Sequence, residues 1–171
     1  MKKTRRMLVA CIAVSLVTLA TGCGTMTHSK SGTTTTIILT RHGDRDPLAE
    51  ELNDQGRLRA EALVEAVADM NIVAIYSPDL KRNLDTAKPL AKHLGLKVEV
   101  LNPNKNGVTK TILTRHPGEV VIWIGNFHNL TGIYSVLGGE GAPPTTYGDL
   151  YIVEVKDSGD PVVTRKRYGP S

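Results

Sequence analysis

Apolar positions in this chain fall into short β-branched runs that alternate with longer stretches at helical spacing. Thr36-Ile37-Ile38-Leu39 is an apolar run that stops at Arg41, which predicts a buried strand ending on polar residues. Asn53 then stands where a helix cap belongs, and Leu63, Val67 and Met70 recur at i, i+4, i+7 with Glu61, Glu65 and Asp69 on other faces. Residues 72–76 predict a second strand. Ser77-Pro78 opens the next helix, with Ser at the cap and Pro in the first turn. Its stripe is Leu80, Leu84, Ala87, Ala91 and Leu94; Gly95 marks the stop, and Pro89 inside the pattern predicts a kink. Residues 97–101 form a third strand, 109–115 part of a third helix and 119–124 a fourth strand ended by Gly125. A helical stretch to about Leu137 follows, and residues 150–155 and 162–167 are the last strands. The alternation predicts an α/β, three-layer sandwich: a largely parallel central sheet with helices on both faces.

The N-terminus breaks this pattern. Lys2, Lys3, Arg5 and Arg6 precede an apolar run, residues 7–20, too short to span a bilayer comfortably, so it is a signal peptide and not a membrane helix. Leu19-Ala20-Thr21-Gly22-Cys23 resembles the lipobox of bacterial lipoproteins, which implies diacylglycerol on the Cys23 sulfur and Cys23 as first mature residue. Lipoproteins prefer Leu three residues before the cysteine, where Ala20 stands here; the alternative is an ordinary secreted protein cleaved nearby. Cys11 is the only other cysteine and lies in the segment to be removed, so Cys23 has no disulfide partner. Acylation explains an unpaired thiol at the front of an exported chain better than redox chemistry does.

The organisation expected is therefore a signal peptide at 1–22, a lipidated cysteine and Thr/Ser/Gly-rich tether at 23–35, and one domain at 36–171. The expected location is the cell envelope: lipid-anchored, on the periplasmic side of the outer membrane if the cell has one. Removing residues 1–22 takes away four basic and no acidic residues, so the formal charge of +4 falls to zero. A basic nucleic-acid surface is excluded.

Three segments place polar groups at or just beyond strand ends, where ligands bind in open α/β sheets. They are Thr40-Arg41-His42-Gly43, Ser77-Pro78-Asp79-Leu80-Lys81-Arg82 and Gly125-Asn126-Phe127-His128-Asn129. Together these resemble the histidine phosphatase (phosphoglycerate-mutase-like) superfamily in its small single-domain branch, over residues 36–155. The resemblance implies that His42 attacks phosphorus and carries a phosphohistidine intermediate that water hydrolyses, without metal or cofactor. The chemistry is coherent: a neutral imidazole is a nucleophile once its other nitrogen is held, and the planar forks of Arg41 and Arg82 match phosphate oxygens. A phosphorylated small molecule or a phosphoprotein is the implied substrate, with Gly43 and Asn126 as binding residues. Asp44, Arg45 and Asp46 either contact substrate or are solvated loop charges.

Bland readings stand beside these. An isolated histidine at a strand end is more often structural, and Arg82 is at the right spacing for an exposed ion pair with Asp85. The chain also holds a second Thr-Arg-His, at 114–116, which ends a helix before Pro117-Gly118; His116 belongs there as a helix C-terminal residue. The superfamily places a second histidine after the fourth strand, and counting back from Gly138-Gly139 that position falls on Asn126, with His128 two residues later. Either His128 enters the cleft and joins His42, Arg41 and Arg82 as a catalytic residue, or Asn126 substitutes for it and the phosphoryl group loses support. The alternative reading of the chain as a whole is a degenerate, non-catalytic member that binds phosphorylated ligands or envelope components. Asp44, Asp46 and Glu140 are the candidates for a general acid.

Overall fold

The computed structural model describes residues 27–103 and 105–171. The signal peptide and Cys23 lie outside them. Among the described residues no helix is long and apolar enough to cross a membrane. Six strands, β1 (Thr35–Arg41), β2 (Ile72–Ser77), β3 (Val98–Val100), β4 (Val120–Gly125), β5 (Asp149–Val155) and β6 (Val162–Arg167), form one sheet in the order β3-β2-β4-β1-β5-β6. The first four run parallel, and β5 and β6 add antiparallel at one edge. Helices α1 (Asp54–Ala66), α2 (Lys81–Leu94), α3 (Lys105–Arg115) and α4 (Phe127–Val136) supply the outer layers.

The two-residue period of the strands sorts the core. Ile38, Ile75, Ile122 and Ile124 face one side and pack with Leu63 and Val67 of the first helical segment and Ala87 and Leu90 of α2. Ile37, Leu39, Val121 and Trp123 face the other and pack with Ile112 of α3 and Leu130, Ile133 and Tyr134 of α4. Both faces of the central strands are covered, which is why they read as unbroken apolar runs. The expected three-layer α/β sandwich is the fold observed.

Local expectations were met unevenly. The Asn53 side chain accepts from Gly56 N at 2.9 Å and caps α1. Gly95 adopts φ +67° and closes α2. Ser77 is not a helix cap: it ends β2, its hydroxyl donates to the Pro78 carbonyl, and α2 starts only after Leu80. Met70 falls in the turn beyond α1 but still packs against the cluster that holds Leu63 and Val67, and α3 begins before residue 109.

The expected tether also needs correction. From Ser29 onward the chain is docked: Ser29 N donates to Lys156 O at 2.9 Å, and the Ser29 hydroxyl lies 2.8 Å from those of Thr33 and Thr35. A segment poor in apolar residues is held here by hydroxyl hydrogen bonds, which composition does not register.

Candidate active site

β1 sits at the centre of the sheet, and its C-terminal end opens into the crevice beside β4. His42 follows it directly, and its N–H donates to Gly125 O at 2.9 Å, which extends the pairing with β4 by one step. His42 as a whole is 2% exposed. Its Nδ1 lies 2.8 Å from the carbonyl oxygen of Gly43. A carbonyl only accepts, so Nδ1 carries the proton and Nε2 keeps its lone pair. Burial, followed by the nearby guanidiniums of Arg41, Arg82 and Arg45, pulls the imidazole pKa down to about 4 against the opposing Gly43 hydrogen bond. At neutral pH the residue is therefore a neutral, single-tautomer imidazole.

The turn that presents His42 depends on two glycines. Gly43 approaches α1 so closely that a β-carbon there would meet the Gly56 carbonyl oxygen at 2.6 Å. Gly43 N donates to Thr86 Oγ1 of α2 at 2.8 Å, and that hydroxyl donates in turn to the carbonyl of Arg82. The nucleophile's loop and the second arginine are thus joined through Thr86. Asp44 follows and is a structural residue: Arg59 Nε lies 2.6 Å from its carboxylate, and Arg59 also donates to Tyr168 O at 2.8 Å.

Arg41 and His42 both meet the Tyr147 ring. The Arg41 guanidinium is caught by the loop between α4 and β5, where NH1 donates to Thr145 O at 2.8 Å and the Tyr147 ring lies 4.0 Å from Cζ. The same Tyr147 ring stands edge-on to His42 at 5.7 Å and screens it. Arg82 does not pair with Asp85, which takes Lys81 instead; its NH1 donates to Glu50 at 3.0 Å. Arg45 is tied down by its NH1, which donates to the carbonyls of Asp46, Pro47 and Ala49. In all three arginines Nε is buried and has no hydrogen-bond partner. Three guanidiniums, each with a buried Nε lacking a partner, thus act electrostatically on a neutral imidazole, a set of groups suited to an oxyanion.

The second-histidine region is arranged differently. Asn126 is the N-cap of α4, with its Oδ1 accepting from Asn129 N at 3.3 Å while Asn129 Oδ1 accepts from Asn126 N at 2.9 Å. His128 is exposed on the first turn of that helix, edge-on to the half-exposed Phe127 at 5.5 Å. No contact joins it to His42. Cavities of about 500 and 620 Å³ run along the outer groove between α1 and α2, both lined by Glu61, Pro89 and Lys92, and include none of these groups.

The family model of the histidine phosphatase superfamily (branch 1) matches residues 37–103. Similar solved structures extend the likeness beyond that span. YhfR of Bacillus stearothermophilus is 20% identical and superimposes with a TM-score of 0.63 over 76% of this chain and 95% of its own. The match to the family model is confined to residues 37–103, and the fold over most of the chain is that of these solved structures. A mycobacterial glucosyl-3-phosphoglycerate phosphatase, solved with inorganic phosphate, is 14% identical at a TM-score of 0.61 over 80% of this chain and 97% of its own. A phosphoserine phosphatase from Entamoeba histolytica, solved with 3-phosphoglyceric acid, is 16% identical at 0.59 over 80% and 98%. No curated protein matches the sequence.

Of the histidine-phosphatase residues expected from sequence, the structure brings together His42, Arg41, Arg82 and Gly43. It leaves His128 at the surface and Asn126 in a helix cap. Thr86, Arg59, Tyr147 and Glu50 were not anticipated. A signal existed for two of them: Thr86 lies one turn beyond Arg82 on α2, and Arg59 shares the buried face of α1 with Gly56 and Leu63.

Proposed function

We propose that this protein is a phosphomonoester hydrolase that passes the phosphoryl group through His42. The observation that carries the proposal is the His42 imidazole itself, with Nδ1 committed to Gly43 and Nε2 free, under the electrostatic influence of three arginines whose buried Nε donors lack partners. Nε2 attacks phosphorus while Arg41, Arg82 and Arg45 spread the charge of the transferring group. Water then attacks the phosphohistidine and releases phosphate. The substrate is a phosphorylated small molecule or phosphoprotein outside the cytoplasm, because the chain is proposed to be exported and anchored by lipid on Cys23.

The test is hydrolysis of an aryl phosphate by purified protein, with acid quenching to trap an acid-labile phosphoenzyme. Both signals are expected in wild type and neither in His42→Ala. Equal background rates in the two proteins would end the enzymatic reading.

One observation favours a second reading, a phosphate-binding member without turnover. The position expected to carry the second histidine is Asn126, whose side-chain oxygen is already engaged by the α4 cap. That reading predicts phosphate binding lost in Arg41→Ala and Arg82→Ala, no phosphoenzyme, and turnover appearing in Asn126→His. Lipidation is tested separately, by mass spectrometry of the N-terminal peptide with Cys23→Ser as control.

A further inference from the structure

The proposed reaction leaves one proton unassigned. As Nε2 bonds to phosphorus the ester P–O bond breaks, and an alkoxide departs readily only if it collects a proton. Asp44 is withdrawn from that role by its buried pair with Arg59. The Asp46 carboxylate is placed toward Asn53, and Glu140 binds Tyr134 and Arg165 through its backbone carbonyl; among the described residues neither carboxylate pairs with Arg41, Arg45 or Arg82.

Glu50 is placed differently. Its carboxylate lies 3.0 Å from Arg82 NH1, with the Glu50 side chain 65% exposed and that of Arg82 only 15%. The carboxylate therefore meets a phosphate-directed guanidinium from the solvent side. His42 lies on the inner side. An in-line displacement puts the leaving oxygen opposite the nucleophile; with His42 buried and Glu50 largely exposed, the proposal has the leaving group depart outward, on the Glu50 side. The loop carrying Glu50 is braced by the three carbonyl contacts of Arg45 at 3.0, 2.8 and 2.8 Å, so the carboxylate hangs from an ordered turn.

We propose that Glu50 is the proton donor to the leaving group, and that the arriving phosphate is what loads it with the proton. The proposal rests on the phosphotransfer reading above. An incoming phosphate competes for Arg82, so the carboxylate loses its cation and meets a dianion; both changes favour the protonated carboxyl. The other charged groups nearby are Lys81 on α2, already paired with Asp85, and Arg45, Asp46 and Glu51 on the same loop. In the first step the carboxyl proton passes to the ester oxygen as the P–O bond breaks and the P–N bond forms. In the second, water gives a proton to the Glu50 carboxylate, its oxygen bonds to phosphorus, and the P–N electron pair returns to Nε2. The substrates that need this device are alkyl phosphomonoesters, with poor leaving groups.

The experiment compares wild type, Glu50→Gln and His42→Ala on glycerol 2-phosphate and p-nitrophenyl phosphate. Calorimetric titration with inorganic phosphate, in buffers of different ionisation enthalpy, counts the protons taken up. Glu50→Gln is expected to lose about 100-fold or more in kcat on the alkyl ester. The loss on the aryl ester should be at least tenfold smaller, and proton uptake on phosphate binding should fall relative to wild type. Equal losses on both substrates, or tighter phosphate binding with alkyl turnover unchanged, would make Glu50 a counterion of Arg82 and overturn the proposal while leaving the phosphatase reading intact. Aryl turnover indistinguishable from that of His42→Ala would remove both.

Discussion

The chain contains Thr-Arg-His twice, at 40–42 and at 114–116, and the two copies have opposite fates. His116 has both ring nitrogens occupied: Nε2 lies 2.8 Å from Tyr76 Oη and Nδ1 2.7 Å from Glu119. Its arginine, Arg115, reaches into solvent toward Glu99 at 3.0 Å. His42 has one nitrogen held and one free, and Arg41 is folded under Tyr147 with a buried donor unfilled. A histidine becomes chemically available through what its surroundings withhold as much as through what they provide. The tripeptide carries none of that information; the ends of β1 and α3 do.

The comparison is broken most directly by exchanging the two imidazoles' fates. His42→Ala is expected to lower phosphatase activity by roughly 10,000-fold to a million-fold, in the range seen when a nucleophile or its partner is removed, whereas His116→Ala leaves kcat within about threefold, since His116 lies on no substrate path. Steady-state kinetics on both variants decides it. Next in size is the brace behind the first tripeptide. Asp44→Ala leaves Arg59 buried without its partner and should cost about 3 to 5 kcal/mol in urea unfolding.

Acid separates the two sites by another route. His42 is held at about 4, below the 6.5 of the free side chain, so between these values the unfolded chain binds a proton that the folded chain refuses. Stability therefore rises with pH through that window, is complete above it, and falls by about 3 kcal/mol on acidification to pH 4. Urea unfolding from pH 4 to 7 should show this slope in wild type and a flatter one in His42→Gln. The smallest expected effect is Tyr76→Phe, which removes one partner of His116 and should cost about 1 kcal/mol with activity unchanged; unchanged stability would mean that the contact is idle.

Much of the scaffold was legible because it is written in short-range terms. Ile37-Ile38-Leu39 and Val121-Ile122-Trp123 are apolar on both faces, and Asn53 and Gly95 carry their own cap chemistry, so strands and helix ends could be placed. Ser77 misled because a hydroxyl before proline serves a strand end as well as a helix cap. The site was legible only where it coincides with a motif. His42, Arg41 and Arg82 lie in such segments, whereas Tyr147 is about a hundred residues from Arg41 and meets it only because β5 returns antiparallel to β1. The His128 position depended on how tightly α4 begins, and the reciprocal cap between Asn126 and Asn129 begins it one residue before Phe127.

The docking of Ser29 sets a leash length. With lipid on Cys23, as proposed, six residue steps separate the anchor from the first fixed point of the domain, a reach of roughly 20 Å at full extension. That fixed point is beside Lys156, at the end of β1 away from His42. A tethered domain would then stand with its catalytic mouth pointing off the bilayer that holds it. On that proposal the substrates within its reach would be dissolved phosphates, or phosphates displayed on an opposing surface, rather than the headgroups of its own membrane.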